Sequence, residues 1–270
     1  MKKWNVVRAD PAGNITLFVL DEVEPSERGP LAARLMALPE LAAEQVGYAC
    51  PASDGTDGHM EMAGGEFCGN ASRAYGMLTA KKLGIRGKAR LTLEVSGSDR
   101  LVGVELDTEA GTASADMPLP RSAAARELGG VGGVLVDLGG IVHFVVRREP
   151  DGTLMDALDE LISASRAAGE FAEAEAYGVI FLHDGRMTPL VKVPAAGSLV
   201  WEGSCGSGSL AAAVAESLER VQTEDSGSFA QDFVQPSGTV RAELGWRGHV
   251  ITEARIGGSV TLSEPMVLEA

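Results

Sequence analysis

Apolar and polar positions fall into blocks along this chain, and the series of blocks runs twice. Residues 14–21 (NITLFVLD) form a compact apolar run that reads as an early strand. Residues 30–44 carry helical periodicity broken at Pro39, because a proline ring inside a helix removes an N–H donor and clashes with the preceding turn. QVGYACP (45–51) reads as a short strand and SDGTDGH (53–59) as a turn cluster. The small residues after Asn70 open a helix that ends near Gly84, and residues 89–117 alternate as antiparallel strands. The stretch 118–133 (PLPRSAAARELGGVGG) reads as a domain link, after which the pattern restarts. VLVDLGGIVHFVVRREP is strand-like, and LMDALDELISASRAAG (154–169) is an amphipathic helix. Residues 176–194 form a hairpin that turns at Asp184-Gly185. A second helix follows over residues 205–221, and residues 238–262 alternate again.

Each half therefore offers strands, a helix and more strands. The economical reading is an α+β chain of two pseudo-symmetric domains, 1–118 and 119–270, with the last few residues returning to the first half. A Rossmann-type sheet fits less well, because no glycine fingerprint follows the first strand.

The helix starts give the repeat its chemistry. FCGNASRA (67–74) carries Cys68 and SCGSGSLA (204–211) carries Cys205, about half the chain length apart. Aligned on the cysteines, Gly69 meets Gly206, Ser72 meets Ser209 and Ala74 meets Ala211. A helix start has free N–H groups and the positive end of the helix dipole, and a glycine there lets a ligand come close to the backbone. Two such ends would hold an α-carboxylate from both sides, and the same field favours a thiolate. One thiolate and one thiol on opposite faces of an α-carbon are the base and acid that inversion needs, in a cleft with fixed dipoles that excludes water. This reading calls for no cofactor. A lone cysteine is more often a small core hydrophobe, and Cys50 is read that way.

Composition narrows the classes. The net charge of −15 argues against nucleic acid, which demands a basic face. No apolar run is long enough to span a bilayer, and MKKWNVVRADPAG lacks the apolar stretch of a signal peptide, so a cytoplasmic protein without a membrane partner is expected. Three cysteines without a CxxC, and four scattered histidines, argue against a disulfide framework and against a metal site.

Along essentially its whole length the chain resembles the diaminopimelate epimerase family of cofactor-independent racemases and epimerases. Cys68-Gly69-Asn70-Ala71 and Ser204-Cys205-Gly206-Ser207-Gly208 match its two cysteine motifs, and Gly13-Asn14, Glu44-Gln45 and Gly139-Gly140-Ile141-Val142-His143 stand where it has further motifs. The resemblance implies mostly antiparallel curved sheets, each around a central helix, with the active site in the interdomain cleft and often a homodimer. Carried over by position, it assigns Cys68 and Cys205 to catalysis, and Asn14, Glu44, Gln45, Gly69, Asn70, His143, Gly206 and Ser207 to the substrate. One departure bears on specificity. Pro194-Ala195-Ala196-Gly197 stands where the family has the Glu-Arg pair whose arginine holds a distal carboxylate. An anionic head group would have no positive partner there. The acids Glu44, Glu61 and Glu202 favour a cationic or hydrogen-bonding side chain instead. The pattern, with Gly64 to Asn70 reading GGEFCGN, looks like the histidine racemases that begin opine-metallophore synthesis. The rival readings are a diaminopimelate epimerase, a racemase of another amino acid, a phenazine-biosynthesis-type isomerase, and an amino-acid-binding protein without chemistry. Proline racemases usually have a histidine where Asn70 stands.

Overall fold

A computed structural model describes residues 2–171 and 174–270. The chain divides into two compact units, Met1–Asp116 with Gly257–Ala270, and Met117–Ile256. The C-terminal segment that belongs to the first unit thus starts at Gly257.

The first unit begins with β1 (Lys3–Asp10) and β2 (Thr16–Val19), an antiparallel pair. Helix α1 (Pro25–Met36) crosses to β3 (Gln45–Cys50), which lies parallel to β2 and antiparallel to β4 (Gly58–Met62). Helix α2 (Gly69–Lys82) then crosses to β5 (Lys88–Val95), parallel to β4. Antiparallel β6 (Val102–Asp107) and β7 (Thr112–Asp116) extend the sheet from β5.

The second unit repeats the scheme. Its β8 (Ser122–Leu128), β9 (Val131–Asp137) and β10 (Ile141–Val146) run antiparallel, and α3 (Thr153–Ala167) crosses to β11 (Ala176–His183), parallel to β10. β11 pairs antiparallel with β12 (Arg186–Val193), which carries β13 (Ser198–Trp201) on its other side. Helix α4 (Gly206–Thr223) leads to β14 (Ser226–Val234) and its antiparallel partner β15 (Thr239–Arg247). β16 (Val250–Ser259) starts in this unit and ends in the first, where β17 (Thr261–Leu262) and β18 (Met266–Glu269) pair with β1. In each unit a first helix makes a parallel crossover, and a second helix that begins immediately after a cysteine leads on to a further strand.

The helix that follows Cys68 is the axis of its unit. Every residue from Gly69 to Ala80 is buried, which a helix of small residues permits on all sides. Gly76 shows how tight the fit is, since a Cβ there would lie 2.6 Å from Val104 Cγ1. Around it pack Val7, Phe18, Met60, Leu91, Leu93 and Val104, with Phe18 meeting Tyr75 edge-on at 5.4 Å between ring centres. The far face of the β2–β3 strands packs against α1 through Leu17, Val19, Leu31, Leu35, Val46 and Tyr48. The strand period of two separates these faces, sending Gly47 toward Phe18 and Met60, and Tyr48 toward α1.

Two readings of the sequence change, and one element went unread. The stretch 118–133, taken as a link, contains the hairpin of β8 and β9, whose turn uses Gly129 (φ 56°) and Gly130 (φ 75°). Its run Ala123–Ala125 has too little apolar contrast to show a strand period. Helix α1 starts earlier than residue 30, at Pro25, and ends before Pro39, which opens a separate 3-10 turn. The opening segment is a full strand, β1, in which Trp4, Val6, Val7 and Ala9 are buried. The hairpin at Asp184-Gly185 is present, both residues having positive φ (46° and 70°), as a two-residue primed turn requires. Among the described residues no helix is long and apolar enough to cross a membrane.

Candidate active site

Both cysteines cap the helices that follow them. Cys68 has extended φ/ψ of −132° and 110°, and its sulfur accepts the Ala71 N–H at 3.4 Å. Cys205 has −123° and 112°, and its sulfur accepts the Gly208 N–H at 3.3 Å. Serine, aspartate or asparagine usually fills this role, three residues ahead of the N–H it satisfies. The aligned serines do matching work. Ser72 Oγ donates to the Cys68 carbonyl at 2.8 Å, and Ser209 Oγ to the Cys205 carbonyl at 2.7 Å. Helix geometry leaves the first N–H groups after each sulfur without partners inside the helix, so each end can receive an anion.

In the first unit Gln45 organises the surroundings of Cys68. Its Nε2 lies 2.8 Å from Asn14 Oδ1, 2.8 Å from Thr16 Oγ1 and 3.4 Å from Cys68 Sγ. Asn14 in turn donates to Glu44 at 2.7 Å, and its Oδ1 is 4.0 Å from the sulfur. Partial burial raises the Glu44 carboxyl above the ordinary range, with the Asn14 hydrogen bond opposing and the Asp10 charge adding. Burial also raises the Cys68 thiol, against the pull of the Ala71 N–H and the Gln45 amide.

In the second unit the Cys205 backbone is held from two sides. Its N–H donates to Gln235 Oε1 at 2.7 Å, while Gln235 Nε2 donates to Ser209 Oγ at 2.9 Å. Ser207 Oγ lies 3.5 Å from Cys205 Sγ and 2.9 Å from His143 Nε2. The Cys205 thiol stands well above the usual thiol range. Burial is the main cause, followed by the Glu202 charge and a hydrogen bond to Glu202, with Ser207 and the Gly208 N–H opposing.

His143 is fully buried, and burial pushes its pKa down to about 3. It is therefore a neutral imidazole at working pH. Its strand neighbour Gly178 makes room for the ring, because a Cβ at that position would lie 3.1 Å from His143 Nδ1 and 2.7 Å from the Leu190 carbonyl. The sign of the pH effect follows from the depressed value. Below pH ~6.5 the unfolded chain takes up a proton that the folded one refuses, so stability is full above that pH and falls as pH drops toward about 3. Urea denaturation at pH 7 and pH 5 should show a loss of about 2 kcal/mol from this group, at ~1.4 kcal/mol per pH unit, and His143→Gln should lack that part of the slope.

Of the residues singled out from the sequence, Asn14, Glu44, Gln45, Gly69 and Asn70 gather around Cys68. His143, Glu202, Gly206 and Ser207 gather around Cys205. Glu61 stands apart. It pairs with Arg28 of α1, and its Oε1 lies 3.3 Å from His59 Nε2, on the α1 side of the sheet with Cys50 and Tyr48. The register explains this, since Glu61 sits opposite Tyr48 and His59 opposite Cys50, while Met60 and Met62 point to the α2 side. Cys50, His59 and Glu61 lie close enough to hold a cation, but Arg28 already meets both the sulfur and the carboxylate.

Sequence reading missed Thr16, Gln235 and Arg73. Thr16 had a usable signal, as a polar residue inside an apolar run, and it is fully buried. Gln235 had none, because it lies just beyond β14 in a stretch with no period.

The model of the histidine racemase CntK N-terminal domain matches residues 3–265. The chain belongs to that family. It is an isomerase of the racemase and epimerase class. A histidine racemase of Fusobacterium nucleatum is 29% identical over 216 residues, covering 76% of this chain and 77% of that protein. One of Staphylococcus aureus is 26% identical over 244 residues, covering 86% and 85%. Among solved structures, a predicted epimerase from Pseudomonas aeruginosa superposes with TM-score 0.65 at 13% identity over the whole of both chains. A probable proline racemase from Agrobacterium radiobacter gives 0.60 at 16% identity, covering 97% of this chain and 92% of that one. At these identities the structures establish the shared fold, and the family match bears on the chemistry.

Proposed function

We propose that this family member racemises histidine, interconverting the L and D forms by a two-thiol proton transfer without a cofactor. The observation that carries the reading is the pair of matching sulfur caps, Cys68 on α2 and Cys205 on α4, each accepting the N–H three residues on. In the reaction a thiolate takes the α-proton from one face while a thiol gives its proton to the other. The C–H bond broken on one side is replaced on the other, and the two sulfurs exchange protonation states. The α-carboxylate would lie against the free N–H groups at the helix starts, where the dipole favours negative charge as the carbanion develops. A neutral His143 keeps Ser207 in place without adding a competing charge.

Histidine as substrate is supported by the family match and by relatives named histidine racemase. The acids agree with it, since Glu44 in the Asn14–Gln45 network and Glu202 beside Cys205 offer acceptors to an imidazole N–H. D-histidine would then be supplied to metallophore synthesis in the cytoplasm. Incubating single L-amino acids in D₂O and following the α-proton by NMR tests the reading. Histidine should lose its signal with the highest kcat/KM in a panel with diaminopimelate, lysine, arginine, glutamate and proline. Preference for diaminopimelate would overturn the substrate, and exchange of none would overturn the reaction.

A further inference from the structure

Arg73 is the one lysine or arginine among the described residues that is buried, with 0% of its surface exposed. Its guanidinium donates to the Pro11 carbonyl at 2.7 Å, the Ser259 carbonyl at 2.9 Å and Asn70 Oδ1 at 3.1 Å. None of these acceptors is charged. A fully desolvated cation is costly unless an opposite charge answers it, and breaking such a pairing is heavily penalised. Burial draws the Arg73 pKa down to about 10, and the charges that oppose this are first a Cys68 thiolate and then Asp10. Geometry makes the link through Asn70, whose side chain takes the Arg73 bond and whose backbone N–H favours the Cys68 thiolate, the group that must ionise for chemistry.

The bond to Asn70 adds a second observation. A guanidinium can only donate, so it fixes the oxygen of the Asn70 amide toward itself and turns the NH₂ away. Asn70 directly follows Gly69 at the start of α2. Its NH₂ is then available to an anion at that helix start, beside the free N–H groups. The same guanidinium joins three stretches distant in sequence, the turn after β1, the start of α2 and the end of β16.

We propose that Arg73 is a positioning residue that locks the Asn70 amide and supplies the fixed positive charge against which Cys68 forms its thiolate, so that Cys68 is the base and Cys205 the acid of the resting enzyme. The inference rests on the two-thiol reading, and it explains why two matching sulfur caps need not be equivalent. The counterpart of Arg73 in the second motif is the apolar Leu210, and the charge beside Cys205 is the negative Glu202. Other charged groups acting on the Cys68 site are few. Glu66 opposes the thiolate, the Asp10 charge favours charged Arg73, and Glu44 is one hydrogen bond away through Asn14.

The test is alkylation by iodoacetamide across a pH series, with the Cys68 and Cys205 peptides quantified separately by mass spectrometry at low conversion. Access sets the absolute rate at each sulfur, whereas the pH midpoint reports ionisation. In the unmodified enzyme Cys68 should show the lower midpoint, and the opposite order overturns the proposal without any variant. Arg73→Met should slow Cys68 alkylation at neutral pH by about tenfold or more, the effect of one nearby charge on an ionisation, and leave the Cys205 midpoint in place. Arg73→Lys should restore most of the Cys68 rate. A merely structural role would shift both peptides together or leave the Cys68 midpoint unmoved, and either result rejects the assignment. The readout needs no turnover, so failure of histidine to exchange in D₂O leaves this result independently legible.

Discussion

Cys68→Ser and Cys205→Ser should each lower histidine inversion by roughly 10²- to 10⁴-fold, the range that one positioned acid or base contributes. The loss should fall on kcat, with little change in folding. A serine at a helix cap accepts the same N–H, so the Ala71 and Gly208 contacts have a ready replacement. What the hydroxyl cannot do is ionise near neutral pH and take a proton from carbon. Comparing the two variants by chiral chromatography and by thermal unfolding separates these effects. Near-normal inversion by either variant would refute the two-thiol scheme. Loss of inversion together with a collapsed unfolding transition would mean that the sulfurs are needed for the caps.

Much of this arrangement is legible in the chain itself. The Cys-Gly repeat predicted two helix starts, and both α2 and α4 begin where it put them. The hairpin at Asp184-Gly185 was legible because its turn demands positive φ and those residues tolerate it. The candidates Asn14, Glu44 and Gln45 came from resemblance, and the parallel pairing of β2 with β3 is what brings them together, with Thr16 opposite Gln45. Glu61 illustrates the limit. An acid near the first cysteine in sequence lies on the other face of the sheet, and only the strand register of β4 decides that. Arg73 was invisible for a different reason. An arginine one turn into a helix normally reads as a solvated residue, and nothing local says that strands will close over it.

The two thiols also differ in what their surroundings do to a proton, and Glu202→Gln should expose this in the pH profile. Inversion needs one sulfur deprotonated and the other protonated, so kcat/KM should rise as the base ionises and fall as the acid does. Burial lifts both thiols, which places the working range on the alkaline side, and Glu202 lifts Cys205 further by its charge and its hydrogen bond. Removing a negative charge beside a thiol makes its thiolate easier to form. The descending limb should therefore move toward neutral pH in Glu202→Gln, while the ascending limb, set by Cys68, stays. On the descending side the rate should fall about tenfold relative to the unmodified enzyme, the effect of one adjacent charge. The alternative role for Glu202, holding the substrate side chain alone, predicts a higher KM at every pH with both limbs unmoved. Glutamine keeps the size and one acceptor of glutamate, so the two outcomes differ in the charge term only. Movement of the ascending limb toward lower pH, with the descending limb unmoved, would mean that Cys205, not Cys68, is the resting thiolate.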